Sequence, residues 1–316
     1  MIRIALFVAS MLFAASAAAQ FPGKPIRIVV PFPAGSATDT VARILSQSVS
    51  AAVGQPVIVD DKPGADGAIA AAEVAKSPAD GYTLLMATNS PMSAVPALKK
   101  NPPYDPVADF TPITDIGRYT FFLYVNAGVQ AKTFKELIAY AKDNPGKLAY
   151  ATGNTTGIVS FAQMNALAGI DMLHVPYKGE PQAIADLVGG RVQVMWATPT
   201  TGLAHVKDGR LRALVTSLKT RSSLLPDVPT IYESGMPQFT IVSWAGLYGP
   251  AKMPKDILDR LNQEFVAAMK RPDVIAAMDK QAFALSPSTP EQLGAHTKEQ
   301  MESYRRILRA AGVQPE

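Results

Sequence analysis

The chain has 316 residues, 48% of them hydrophobic and 18% charged, and Lys+Arg 30 against Asp+Glu 26 gives a formal charge of +4. It is too apolar for a disordered chain and long enough for two compact domains. So mild a basic excess, without a Lys/Arg block, argues against a nucleic-acid partner. The absence of cysteine excludes disulfides, thiolate metal sites, Fe–S clusters, cysteine nucleophiles and a lipid-modified N-terminal cysteine.

Arg3 precedes an apolar run from Ile4 to Ala15, and Ser16-Ala17-Ala18-Ala19-Gln20 supplies an A-x-A match. This predicts a secretory signal peptide over residues 1–19, cut after Ala19. The run is about a dozen residues, short of the ~20 that span a bilayer. A soluble, exported, periplasmic product is expected, and without a cysteine it is not a lipoprotein.

Strand and helix signals then alternate. Ile26–Pro31 is β-rich, and Val41, Ile44, Leu45, Val49 and Ala52 have helical spacing over Thr38–Ala52, with Gly54 as the stop. Val57–Val59 is a strand, Gly67–Lys76 an alanine-rich helix, and Tyr82–Ala87 and Phe121–Val125 further strands. The pattern restarts at Thr133-Phe134-Lys135-Glu136, a capping box opening a helix to about Lys142. Lys147–Ala151, Leu173–Val175, Val192–Trp196, Leu211–Thr216 and Ile241–Tyr248 read as strands. Gly157–Ala168, Pro181–Val188, Pro254–Lys270 and Pro272–Lys280 read as helices, and a last helix starts at Thr289-Pro290. Such alternation implies parallel sheets built from βαβ units.

In an open parallel sheet, ligands sit beyond the carboxyl ends of the strands. The loops there are Phe32–Asp39, Thr88–Ser90, Thr152–Gly157, Pro176–Gly179 and Ala197–Gly202. They are rich in Gly, Ser, Thr and Asn, and most lead into a helix. Backbone N–H groups and hydroxyls at helix N-termini bind anions without a formal positive charge. Asp39 and Lys178 are the only charged side chains in these loops. Asp39 stands three residues after Ser36 and reads as a capping group for its own turn. One such loop is ordinary turn chemistry; five at one end of two βα sets point to a ligand cleft. The candidate ligand-binding residues are Phe32, Ala34, Gly35, Ser36, Thr38, Asp39, Thr88, Asn89, Thr152, Asn154, Thr155, Thr156, Tyr177, Lys178, Ala197 and Thr198.

Nothing marks an enzyme. G-x-S-x-G, P-loop, G-x-G-x-x-G and H-E-x-x-H motifs are all missing, and His174, His205 and His296 form no ligand-spaced pair. His174, Trp196 and Trp244 have apolar neighbours and read as core residues. No metal and no cofactor is expected.

With these residues in hand, the chain resembles the Bug (TctC-type) solute-binding proteins of tripartite tricarboxylate transporters. The resemblance runs from Pro22 to the last helix. It is carried by PGKPIRIVVPFPAGSATDTVAR, GQPVIVDDKPGADGAIAAAEVAKSPADGYTLLMAT, PPYDPVADFTPIT, LHVPYKGEPQAIADLVGGRVQVMW and LRALVTSLKTRSSLLPDVPTIYESG, weak singly and specific together and in order. It implies an α/β, two-domain Venus-flytrap of the type II periplasmic-binding class, each domain a mostly parallel sheet flanked by helices. The domain crossings are expected near Phe122 and Ser243, with residues 20–122 plus 244–316 as the first domain and 123–243 as the second.

The resemblance further implies a small carboxylate held between the loop at Ala34–Asp39 and the facing loops of the second domain. It implies delivery to two integral membrane subunits, by a monomer. The family usually has two glycines at Gly35-Ser36, a Ser-His pair at Gly157-Ile158, a Glu at Ala162 and an Asp at Ala197. Losing those polar groups disfavours an amino acid. Ile158, Val159, Phe161, Tyr177 and Trp196 suggest room for an apolar or aromatic body. The rival functions are a ligand sensor that presents its closed form to a signalling receptor and, further off, an exported α/β enzyme.

Overall fold

A computed structural model describes residues 21–310 and 312–315. The expected signal peptide lies outside the described residues. Strand β1 (Ile26–Val30) is buried at four of its five positions and leads into helix α1 (Ala37–Val53). Ser36 starts that helix in an extended conformation, its hydroxyl accepting from Asp39 N–H, and Gly54 ends it in the left-handed region at φ 68°. Strand β2 (Val57–Asp61), a 3₁₀ turn at Ala65–Gly67, helix α2 (Ala68–Ala75) and strand β3 (Thr83–Thr88) follow. β2 and β3 both pair parallel with β1.

A π turn (Ser90–Ala94) and helix α3 (Val95–Leu98) lead to β4 (Phe110–Tyr119), a strand the sequence pattern did not mark. Pro112, Asp115 and Gly117 break its alternation. The short strand β11 (Phe283–Leu285) covers only Gly117–Tyr119, so Pro112 stands where β4 has no second neighbour and no N–H is missed. On its other side β4 pairs antiparallel with β10 (Ser243–Pro250), with two register shifts. The first sheet is six-stranded, in the order β11-β4-β10-β3-β1-β2.

The second sheet is five-stranded. β5 (Phe122–Asn126), helix α4 (Phe134–Asp143), β6 (Ala149–Thr152), helix α5 (Thr155–Ala168), β7 (Leu173–Pro176), helix α6 (Glu180–Val188), β8 (Val194–Ala197), helix α7 (Pro199–Lys207) and β9 (Leu211–Thr216) give the order β7-β6-β8-β5-β9. The expected parallel pairing holds within the βαβ units, β6 with β7 and β8. The strands next to the points where the chain changes sheet, β5 and β10, pair antiparallel with both neighbours. Helix α7 was expected as loop because of its Pro, Thr and Gly content. Pro199 stands at its first position, where no N–H is needed. Gly202 packs so closely that a Cβ would lie 2.5 Å from the Tyr124 ring.

The chain then returns to the first sheet, whose outer layer is helix α8 (Lys255–Met269), helix α9 (Pro272–Asp279) and the long helix α10 (Pro290–Ala310). Apolar cores fill both lobes. Trp196, at 1% exposure, and Trp244, at 0%, are core residues, and Trp196 stacks on Phe239 at 5.5 Å. The architecture is two sheet-plus-helix lobes, the Venus-flytrap arrangement expected from sequence. Helix α10 packs on β4 of the first lobe and on α5 of the second.

Candidate functional site

The carboxyl ends of β1 and β3 face those of β6, β7 and β8 across a cavity of about 400 Å³ that is partly open to solvent. The first lobe lines it with Ser36, Ala37 and Thr38 at the start of α1, Thr88 and Ser90 after β3, Tyr119 and Phe121 around the sheet change, and Ser243. The second lobe contributes Gly153, Asn154 and Thr156 before and in α5, Gly179 and Glu180 at the start of α6, and Thr198 before α7. Every one of these second-lobe groups belongs to a strand-to-helix turn, the position that brings helix N-termini to a cleft.

The two lobes touch. Ser90 Oγ and Thr156 Oγ1 are 3.1 Å apart, and Thr156 N–H donates to Ser90 Oγ at 3.3 Å. At the far side Thr200 Oγ1 donates to Gln281 Oε1 at 3.0 Å. Gly179 abuts Pro33: a Cβ at Gly179 would lie 3.0 Å from Pro33 Cγ.

The donor inventory differs between lobes. In α1, Asp39 N–H is taken by Ser36 Oγ and Thr40 N–H by Ser36 O. Ala37 and Thr38 N–H have no partner among the described residues and sit at the positive end of a 17-residue helix. In α5, Asn154 Oδ1 accepts from Gly157 N–H, Asn154 O from Ile158 N–H, and Ser90 takes Thr156. Before α7, Thr198 N–H and hydroxyl both donate to Glu180 Oε2, at 3.1 and 2.7 Å. Both lobes thus offer free donors: Ala37 and Thr38 N–H in the first and, equally without a partner among the described residues, Gly153, Asn154, Gly179 and Glu180 N–H in the second.

Among the described residues no Lys, Arg or His lines the cavity, and Glu180 is the single charged residue of the lining. Burial pushes the Glu180 carboxyl above the ordinary range, against the pull of the Thr198, Thr201 and Asn154 donors. Burial likewise raises the Tyr119 phenol, whose hydroxyl donates to Thr38 Oγ1 at 3.1 Å. The arrangement suits reversible capture of a small anion by neutral donors. Among the described residues no cluster of side chains is arranged to hold a metal ion, and no helix is long and apolar enough to cross a membrane.

A family model described as "Tripartite tricarboxylate transporter family receptor" matches residues 41–313. The chain belongs to that family. It is 32% identical to BugT of Bordetella pertussis, over 98% of this chain and 96% of that protein. The solved periplasmic binding protein BugD is 31% identical and superposes with a TM-score of 0.88, over 94% of this chain and all (100%) of that one. An R. palustris protein solved with adipate is 29% identical with a TM-score of 0.89, covering 94% and 100% of the two chains. MatC of Rhodopseudomonas palustris, solved with malate, is 28% identical with a TM-score of 0.85, covering 91% and 100%. The chain is accordingly a periplasmic solute-binding protein of the TctC/Bug family, a family of binders rather than enzymes.

In this Bug-type protein, Phe32, Ser36, Thr38, Thr88, Asn154, Thr156 and Thr198 of the expected residues line the cavity. The others stand back from it. Ala34 and Gly35 are exposed. Asp39 Oδ2 accepts from Gly35 N–H at 2.9 Å, and its Oδ1 pairs with Arg43, as its capping spacing suggested. Asn89 ties β3 to the neighbouring strand and to α10, bonding Tyr304 and Ser243. Thr152 holds His174 Nε2 at 2.7 Å, and the Thr155 hydroxyl is buried without a partner. Ala197 pairs with Phe122 inside the sheet.

Tyr177 and Lys178 border an outer hollow beside the cavity, where the Tyr177 hydroxyl donates to Asp186 and Lys178 is exposed. The apolar wall expected from Ile158, Val159, Phe161, Tyr177 and Trp196 does not form, because Val159, Phe161 and Trp196 face the second-lobe core. Phe32, Tyr119 and Phe121 supply the aromatic surface instead. The most consequential residue missed is Glu180. It stands one position beyond the loop read as Pro176–Gly179, in the first turn of a helix, where an acid ordinarily passes as a cap.

Proposed function

We propose that the protein captures a small carboxylate in the inter-lobe cavity and delivers it to the integral membrane subunits of a tripartite transporter. The observation that carries this is the pair of unpartnered N–H groups, Ala37 and Thr38, at the positive end of α1, opening into a cavity without a single cation. A carboxylate there receives two charge-assisted hydrogen bonds, each contributing ~1.5–3 kcal/mol. Relatives solved with adipate and with malate support the same ligand class. The lobes follow the two sheets: the first runs up to the end of β4 and resumes at Ser243, and the second starts at Phe122, so these two residues lie across the boundary from where the sequence put them. The lobes close by bending at the two crossings, where β4 gives way to β5 and where β10 begins. Export removes residues 1–19, so the mature chain begins at or next to Gln20. Thermal-shift screening of the purified mature chain against mono-, di- and tricarboxylates tests the reading. A ligand at one hundred times its Kd adds ~2.7 kcal/mol of stability. A screen in which sugars or cations stabilise the protein and no carboxylate does would overturn it.

A further inference from the structure

Both lobes present N–H donors to the cavity, and the second alone adds an acid, Glu180. Glu180 is 8% exposed. Its Oε2 is filled by three donors, Thr198 N–H, Thr198 Oγ1 and Thr201 Oγ1 at 3.0 Å. Its Oε1 has one contact, Asn154 Nδ2 at 3.4 Å, the outer limit of a hydrogen bond. A carboxylate has about four acceptor positions, so Oε1 retains capacity that the described residues do not use. All the groups that hold Glu180 are neutral. A buried acid without a cation is expensive, and three donors converging on one oxygen would be met as well by the carbonyl of a glutamine. The feature that glutamine cannot supply is a second acceptor oxygen at the cavity wall.

Building on the carboxylate reading above, we infer that Glu180 selects carboxylates that carry a hydrogen-bond donor, a hydroxyl or an ammonium, at the end opposite the carboxylate. The two poles of the cavity differ in the acid that only the second carries. The carboxylate goes to the free N–H groups of Ala37 and Thr38 on the first lobe. The other end of the ligand then meets Glu180, Asn154 and Thr198 on the second. A hydroxyl or ammonium there completes Oε1. A second carboxylate there lies against a buried acid, so that either the two charges repel or one carboxyl must take up a proton.

Calorimetric titration of the purified mature chain at neutral pH tests this with matched sets of four-, five- and six-carbon acids. Each set holds the α,ω-dicarboxylate, the ω-hydroxy acid and the ω-amino acid. At the chain length bound best, the hydroxy or amino acid is expected to bind tenfold or more tighter than the dicarboxylate (~1.4 kcal/mol). In Glu180→Gln that preference should shrink at least tenfold, with the amino acid losing most. Melting of the free variant reports that it is folded, and should Glu180→Gln not fold, Glu180→Asp carries the test, keeping the charge and drawing it back by one methylene. Dicarboxylates that bind the native chain as tightly as their partners, or a preference unchanged in Glu180→Gln, overturn the inference and leave the carboxylate reading standing. If no acid of these sets binds but another carboxylate of the screen does, the inference falls alone; if no carboxylate binds, both fall.

Discussion

Replacing Gly179 with valine should separate ligand capture from folding. Gly179 precedes α6 with φ −177°, extended backbone open to any residue. A Cβ there would stand 3.0 Å from Pro33 Cγ, 3.3 Å from Pro33 Cδ and 3.1 Å from Gln182 Oε1. Carbon atoms are comfortable at ~3.5–4.0 Å. Alanine therefore asks Pro33 to yield by a few tenths of an ångström, and the γ-methyls of valine demand more than the contact can give. Pro33 belongs to the first lobe and Gly179 to the second, so the overlap with Pro33 arises only when the lobes meet, while Gln182, in the same lobe, can swing the end of its side chain away. Overpacking costs ~1–3 kcal/mol, which weakens binding roughly 5- to 150-fold at ~1.4 kcal/mol per decade. The free variant should melt within about a degree or two of the native chain. Titration with the acid identified by screening measures the affinity, and solution scattering measures the radius of gyration with acid bound. Gly179→Ala should stay within about fivefold of native. If Gly179→Val binds like the native chain and closes to the same radius, the Pro33–Gly179 contact is not part of the bound state.

Ser36→Ala removes both the hydroxyl that caps α1 and a cavity donor; a loss of ~1 kcal/mol in stability and weaker acid binding are expected by melting and titration, and native values in both would refute the placement. Lys178 is exposed at the outer hollow, so Lys178→Ala should change affinity less than about twofold; loss of binding would mean a point charge holds the anion. His296 lies edge-on to Trp244 at 5.0 Å, and burial, assisted by Arg118, lowers its pKa from 6.5 to about 4. Below pH 6.5 the unfolded chain takes up a proton that the fold refuses. This contribution to stability is therefore intact above that pH and is lost as pH falls toward about 4, by up to ~2 kcal/mol after allowance for partial exposure. Across that window the melting temperature of His296→Phe should depend less steeply on pH than that of the native chain, and identical slopes would refute the assignment.

Much of the fold could be seen in the sequence because helix stops and caps have local signatures. Ser36 with Asp39, Gly54, Thr133 with Glu136, and Gly169 each act as their residue types suggest. β4 was not visible, because its Pro112 and Gly117 are tolerated only through neighbours supplied by β10 and β11, far along the chain. Helix α7 was hidden by Gly202, whose missing side chain makes room for Tyr124. At the site, the hydroxyl-rich turns were legible as a class. Which of their members face the cavity was not, since Thr152 and Thr156 look alike in sequence but one holds His174 and the other meets Ser90. Glu180 was invisible for the same reason: its partners Thr198 and Thr201 come from the next βα unit.

The most direct test of the account is titration of small carboxylates into the native chain and into a variant whose first-lobe donors are altered. Ala37→Pro removes one of the two free N–H groups at the first position of α1, where proline is compatible with the helix and Ser36 before it is already extended at φ −71° and ψ 160°. The native chain is expected to bind a small carboxylate, and Ala37→Pro to bind it tenfold or more weakly (~1.4 kcal/mol) while melting close to the native temperature. Equal affinity in the two proteins would contradict the claim that the start of α1 holds the anion.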